Sequence, residues 1–312
     1  MVEFVHKSVL LNETIDLLNV REGGIYVDGT IGGAGHSREI LKRIGNDGLL
    51  IGIDQDTNAL KKANSVLSKI GSNYKLFHSN YKNFEDILNE LNIDKVDGIL
   101  LDLGVSSYQF DEGSRGFSYN YDARLDMRMD TTSNLSAWEI VNEYSKEELT
   151  KIIKDYSEER FASKIADKIV KKRSIKPIDT TFELVEVIKE AIPLKFRVKG
   201  GHPAKKTFQA LRIETNDELG VLRNALDRMI NRLNKNGRIA IISFHSLEDR
   251  IVKETFKYRF LDCVCPPESP VCTCDKKREV EIITRKPVVA TEKELKENNR
   301  AHSAKLRVAE KI

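Results

Sequence analysis

Long apolar runs are missing from this 312-residue chain, and no stretch approaches the roughly 20 residues needed to cross a bilayer. The start, Met-Val-Glu-Phe-Val-His-Lys-Ser, has no signal-peptide core, so the expectation is a cytoplasmic protein with no membrane partner. Cysteine is absent outside one short window, which excludes a framework of scattered disulfides. Net charge is small, at +3, so a surface for a polyanion has to come from local clustering of Lys and Arg. Internal repeats and low-complexity linkers are lacking too. With 40% hydrophobic and 32% charged residues the chain is globular, and large enough for one big domain or two ordinary ones.

The first third contains a series of apolar runs, at 25–28, 49–54, 75–78 and 96–103, with helical patterns near 37–44, 57–70 and 83–91. A β-α-β-α series implies a parallel sheet. The first run ends in Asp28 and breaks into Gly-Thr-Ile-Gly-Gly-Ala-Gly-His36, and the second ends in Asp54. A glycine loop lets backbone approach a ligand where side chains would collide, and a carboxylate ending the next strand accepts from both ribose hydroxyls. The pattern is the footprint of an adenosine-type cofactor, with a plain tight turn as the alternative. Gly29, Gly32, Gly33 and Gly35 do not match the dinucleotide spacing G-x-G-x-x-G. S-adenosylmethionine has no phosphate to cradle, which places a methyltransferase ahead of a dehydrogenase. Asp102 ends the fourth run, so three strand-end carboxylates would converge on one crevice beyond the sheet. Helix capping explains one such Asp more comfortably than three.

From about 108 to 208 the text turns helical and charged with no convincing strand; a helix at 218–231 and a strand over 238–245 follow. The simplest account is one sheet domain, residues 1–107 and 209–312, interrupted by an inserted all-helical domain at 108–208. Two extended candidates near the end, 280–284 and 305–309, flank a helical pattern at 291–299 and suit an antiparallel addition at the sheet edge. Residues 195–212 hold six Lys or Arg and no acid. Lys195, Arg197, Lys199, His202, Lys205 and Lys206 would counter phosphates, and Phe196 or Phe208 would stack on an unpaired base. The basic helix with Lys164, Lys168, Lys171, Lys172 and Arg173 would extend the patch. A solvated face and a core phenylalanine are the plainer readings.

All four cysteines, Cys263, Cys265, Cys272 and Cys274, fall within twelve residues as two C-x-C pairs. Four thiolates this close suit a small tetrahedral knuckle holding a structural zinc in a reducing compartment; free thiols or a redox-sensitive pair remain open.

Seven ordered segments carry a family resemblance: 28–36, Leu-Leu-Asp-Leu-Gly-Val-Ser-Ser at 100–107, Arg-Gly-Phe-Ser-Tyr at 115–119, Leu-Asp-Met-Arg-Met-Asp at 125–130, Gly-Gly-His-Pro-Ala-Lys at 200–205, Phe-Gln-Ala-Leu-Arg-Ile at 208–213 and Ser-Phe-His-Ser-Leu-Glu-Asp-Arg at 243–250. Together, over residues 5 to 310, the chain resembles the bacterial 16S ribosomal RNA cytosine-N4 methyltransferase family, RsmH or MraW. The resemblance implies a Rossmann-like class I S-adenosylmethionine-dependent α/β sheet and methylation of a cytosine in the decoding centre, or P-site region, of 16S rRNA. By matching position it implies cofactor contacts at Ala34, Gly35, His36, Asp54, Tyr81, Asp102 and Gln109. The acceptor set for the amine proton is expected from Asp102, the adjoining backbone carbonyls and Ser106 or Ser107, and His245 is a candidate extra base or base contact, with a core or strand-capping histidine as its alternative role. Asp-Leu-Gly-Val stands where amino-methyltransferases of this chemistry commonly carry an Asp/Asn/Ser-Pro-Pro-aromatic turn. The family also makes a homodimer and a substrate within the small ribosomal subunit reasonable expectations. A small-molecule methyltransferase and a cofactor-binding assembly factor are the competing readings.

Overall fold

The runs at 49–54 and 96–102 carry apolar residues at successive positions, Leu49–Ile51 and Ile99–Leu101, because both faces of the strands they form are covered. Along the fourth strand Ile99 and Leu101 enter one core cluster, and Leu100, between them, enters another. The computed structural model describes residues 8–104, 113–197, 201–269 and 271–312. The chain divides into two compact units, one from the start to Gly104 and from Leu219 to the end, the other Val105–Glu218.

The first unit is a seven-stranded sheet of order β3-β2-β1-β4-β5-β7-β6. The strands are β1 Ile25–Asp28, β2 Leu49–Asp54, β3 Tyr74–His78, β4 Val96–Asp102, β5 Leu233–Ser243, β6 Val280–Ile282 and β7 Lys305–Lys311. β1 to β5 pair in parallel, and β7 runs antiparallel to both β5 and β6. The expected edge addition is therefore present, and β5 starts five residues earlier than its apolar run, across a register shift opposite Val96 and Gly98. One face is covered by helices Leu11–Leu18, Gly35–Ile44 and Thr57–Leu67, through Ile15, Leu18, Ile40, Ile44 and Leu67. The other is covered by Phe84–Glu90, Glu218–Asn231 and Ser246–Phe260, through Phe84, Leu226, Met229, Val252 and Phe256. Each fully buried Leu, Ile or Phe contributes about 1.5–3 kcal/mol.

The second unit is helical: Ala137–Glu143, Lys146–Ser157, Ala162–Arg173, Thr181–Ala191, Leu194–Arg197 and Lys205–Asn216. Three of these begin with complete capping boxes, Ser136 with Glu139, Ser145 with Glu148 and Thr180 with Glu183. Each box satisfies two orphan amides at a helix start. Leu125, Ile140, Ile153, Ile169, Leu184 and Leu211 form its core. The break expected at residue 208 falls inside the helix Lys205–Asn216.

Candidate functional site

In a sheet of this order the chain leaves β1 toward β2 on one side and returns through β4 on the other, so the crevice opens beyond the carboxyl ends of β1 and β4. Asp28, Asp54 and Asp102 end β1, β2 and β4, yet they do different things. Asp28 is buried; its carboxylate accepts from Thr30 N at 3.1 Å and Ser37 Oγ at 2.6 Å. It therefore binds both ends of the glycine loop together. Asp54 accepts from Gly32 N and from Asp56 N, each at 2.9 Å, tying the middle of the loop to β2. Gly32 has φ +47° and Ala34 +61°, a left-handed backbone that costs a non-glycine residue about 1 kcal/mol or more. These bonds, with Ala34 N donating to Ile31 O, hold the loop in it. Thr30 and Ser37 escaped the sequence reading because a hydroxyl in a glycine loop carries no pattern; Thr30 Oγ1 accepts from Asp102 N at 2.6 Å and joins the loop to β4.

Asp102 is the carboxylate left unspent. Its side chain is 27% exposed, and its buried Oδ1 has no hydrogen-bond partner among the described residues. Burial, reinforced by Asp28 and then Glu248, pushes its pKa up to about 8. Burial also raises Asp28 and Asp54, each to about 6. His36, 5% exposed, has Nε2 3.0 Å from Val9 O. A carbonyl only accepts, so Nε2 is the protonated nitrogen, and burial drops the ring's pKa to about 4. The neutral ring presents its Nδ1 lone pair to Asp102 Oδ2 at 3.7 Å. His36 thus fixes the preceding segment and shapes the wall beside Asp102.

Tyr81, 8% exposed, opens the short turn Tyr81–Asn83 after β3. Beside it is a polar cluster that the sequence did not announce: His78 Nε2 is 3.0 Å from Gln55 O, and Asn80 Nδ2 donates to Gln55 Oε1 at 2.9 Å. His245 is the N-cap of Ser246–Phe260: Glu248 N donates to Nδ1 at 3.4 Å, and Nε2 lies 3.1 Å from Glu248 Oε1. Glu248 in turn accepts from Phe244 N at 2.8 Å. Nδ1 displays the capping role, and the buried Nε2 makes no hydrogen bond among the described residues. Ser106, Ser107 and Gln109 lie outside the described residues.

In the helical unit, Lys195, Lys205 and Lys206 are exposed, while Arg197 donates to Ile192 O at 2.8 Å. His202 is stacked on Tyr119 with centroids 4.4 Å apart and planes 1° from parallel. Phe208 is 4% exposed and meets the edge of Tyr119, so it belongs to the core and is not free to stack on a base. Arg160 lies over the ring of Phe196 at 3.7 Å. Arg173 donates to Val141 O and Tyr144 O, closing a neighbouring helix end, so it does not extend the basic patch. Lys199 lies outside the described residues. The four cysteine sulfurs all lie within 4.8 Å of one another.

A parallel sheet of this order with β7 antiparallel, a glycine loop after β1 and an acid ending β2 defines a Rossmann-like class I methyltransferase fold. The chain belongs to the MraW methylase family, whose model matches residues 3–312. Relatives named ribosomal RNA small subunit methyltransferase H include those of Lachnospira eligens, 57% identical over 312 residues and covering 100% of this chain and 99% of the relative. That of Clostridioides difficile strain 630 is 56% identical over 311 residues, with 100% of each covered. Among solved structures, an rRNA methylase from Streptococcus thermophilus aligns with TM-score 0.44 and 12% identity over 100% of this chain and 99% of that one. Aeropyrum pernix fibrillarin with bound S-adenosyl-L-methionine aligns with TM-score 0.39 and 9% identity over 93% and 67%.

Proposed function

We propose that the protein transfers the methyl group of S-adenosylmethionine to the exocyclic N4 of a cytosine in the decoding-centre region of 16S rRNA, within the small ribosomal subunit. The observation that carries the reading is Asp102: a buried carboxyl oxygen without a partner among the described residues, at the end of β4, beside the glycine loop. The residues fit such a cofactor, since Asp54 holds the loop open to a ligand and an added Cβ at Gly33 would meet nothing within 4 Å. When bound, S-adenosylmethionine supplies an electrophilic methyl on a positively charged sulfur.

The amine's lone pair is conjugated with the ring, and an acceptor aimed at one N–H bond helps to free it. Asp102 in its ionised form accepts that proton as the new N–C bond forms and the S–C bond breaks. Asp28 and Thr30 position it, the first through the loop and the second through its backbone amide. No covalent bond to the base is needed, so the cysteines take no part. The helical unit, with Lys195, Lys205 and Lys206 on its surface, would counter the RNA backbone, and the target base would be unstacked to reach the crevice. The relatives' name supports the RNA class of substrate.

The test is methyl transfer from labelled S-adenosylmethionine to small subunits from a strain lacking this activity, followed by nucleoside analysis. N4-methylcytidine that disappears with Asp102→Ala is the expected result. Label at another nucleoside, or none in RNA despite cofactor binding, would overturn the reading.

A further inference from the structure

The described residues of the connection between Ser246–Phe260 and β6, 261–269 and 271–279, form no helix or strand, and none of them is buried. A segment this long without secondary structure is uncommon in a compact unit unless something other than apolar burial holds it. Hydrophobic packing does not specify its shape. Its cysteines nevertheless converge. Cys263 Sγ is 3.5 Å from Cys272 Sγ and 3.6 Å from Cys274 Sγ; Cys272 Sγ is 3.7 Å from Cys274 Sγ and 4.0 Å from Cys265 Sγ.

These four of the six sulfur pairs span 3.5–4.0 Å and all six lie within 4.8 Å, and such separations discriminate between chemistries. A disulfide draws two sulfurs to about 2.05 Å and leaves the other pair apart. A tetrahedral zinc with bonds of about 2.3 Å sets every sulfur pair about 3.8 Å apart. The backbone supplies a second mark. Val264 N, between the first two cysteines, donates to Cys274 Sγ at 3.2 Å, and Thr273 N, between the last two, donates to Cys265 Sγ at 3.4 Å. Cys265 N adds a bond to Cys263 Sγ at 3.3 Å. Amides aimed reciprocally at sulfur stabilise thiolate charge, as outer-shell donors do around bound metal.

We propose that Cys263, Cys265, Cys272 and Cys274 bind one zinc ion as a closed tetrathiolate site, and that this ion sets the shape of the 261–279 connection. Binding replaces four S–H protons, released to solvent, by four metal–sulfur bonds. All four positions are filled by protein, so the ion has no open place for water and acts as a structural staple. It fixes the approach to β6, where Arg259 and Lys276 both bond to Glu279 just before the strand.

The full chain, purified reduced and without chelator, is expected to carry about one zinc by elemental analysis. Cobalt substitution should give the intense ligand-field bands of a tetrahedral thiolate site. Cys263→Ser and Cys274→Ser should each lower retained zinc at least about tenfold. Because a serine variant can lose local structure, a mercurial titration of the unaltered protein supplies the second readout: zinc should leave in step with four thiols. Retention below about a tenth of an ion per chain after equimolar zinc and desalting would overturn the proposal. So would Cys–Cys disulfides in protein alkylated at lysis. Neither readout depends on methyl transfer.

Discussion

Asp102 is held neutral by the burial that would make its ionised form a strong acceptor. Its folded pKa of about 8 lies above the ordinary carboxylate value, so between about pH 4 and pH 8 the folded chain binds a proton that the unfolded chain does not. That stabilisation is fully present below the unfolded pKa and is lost as pH rises through about 8. Asp102→Asn should therefore raise the Tm of the cofactor-free protein at pH 8.5 by roughly 3–6 °C, with a much smaller change at pH 5, as read by calorimetry. A lower Tm at both pH values would show that the carboxyl makes an interaction the asparagine cannot. A sulfonium favours the ionised form, so affinity for S-adenosylmethionine should climb with pH up to about 8, by at most about tenfold per unit. The neutral thioether product should show a flatter profile, and isothermal titration across pH separates the two. Asp54 serves the loop as well as any ribose: Asp54→Ala leaves Gly32 N and Asp56 N without acceptors and should weaken cofactor binding by about tenfold or more, with turnover at saturation little changed.

At the scale of elements, two of the family segments prove to be one structural joint in the helical unit. Met127 N donates to Arg115 O at 3.1 Å, Arg115 donates to Arg128 O at 2.7 Å, and Asp126 pairs with Arg128 at 2.6 Å. Gly116 sits at φ +72° where an added Cβ would come within 2.3 Å of Arg124 O. Gly116→Ala should cost about 2 kcal/mol or more and lower the denaturant midpoint of the helical unit; an unchanged midpoint would mean the joint relaxes freely. His245 divides its ring: Nδ1 accepts from Glu248 N at the helix start, while the buried Nε2 has no hydrogen-bond partner among the described residues.

For the molecule as a whole, RNA binding and cofactor binding are expected to fail independently. Lys195 and Lys205 are exposed in the helical unit, whereas Asp54 and Asp102 belong to the sheet unit. Lys195→Gln with Lys205→Gln should weaken RNA binding and flatten its salt dependence by about 0.7 for each phosphate no longer neutralised, leaving the cofactor Kd unchanged. Filter binding across salt concentrations checks the slope. A drop in affinity with an unaltered slope would place these lysines away from phosphate.

The strands, their parallel run and the crevice were legible in the linear text because local rules write them there: apolar runs, helix-period patterns between them, and acids at the strand ends; the order β3-β2-β1-β4-β5-β7-β6 came only with the fold. The glycine loop and Asp54 were legible for the same reason. The division of labour among three similar aspartates was not. It depends on which carboxylate meets Ser37, which meets Gly32 and which has an oxygen that meets no donor among the described residues, and those partners are distant in the chain or carry no pattern. Phe208 and Arg173 likewise looked like parts of an RNA surface, because residue type records chemistry and not direction; packing turned one inward and spent the other on two carbonyls. The cysteines announced a cluster by spacing, and only the folding of two short segments onto each other brought all four sulfurs within 4.8 Å of one another, since long-range geometry is set by packing and closure, not by sequence distance.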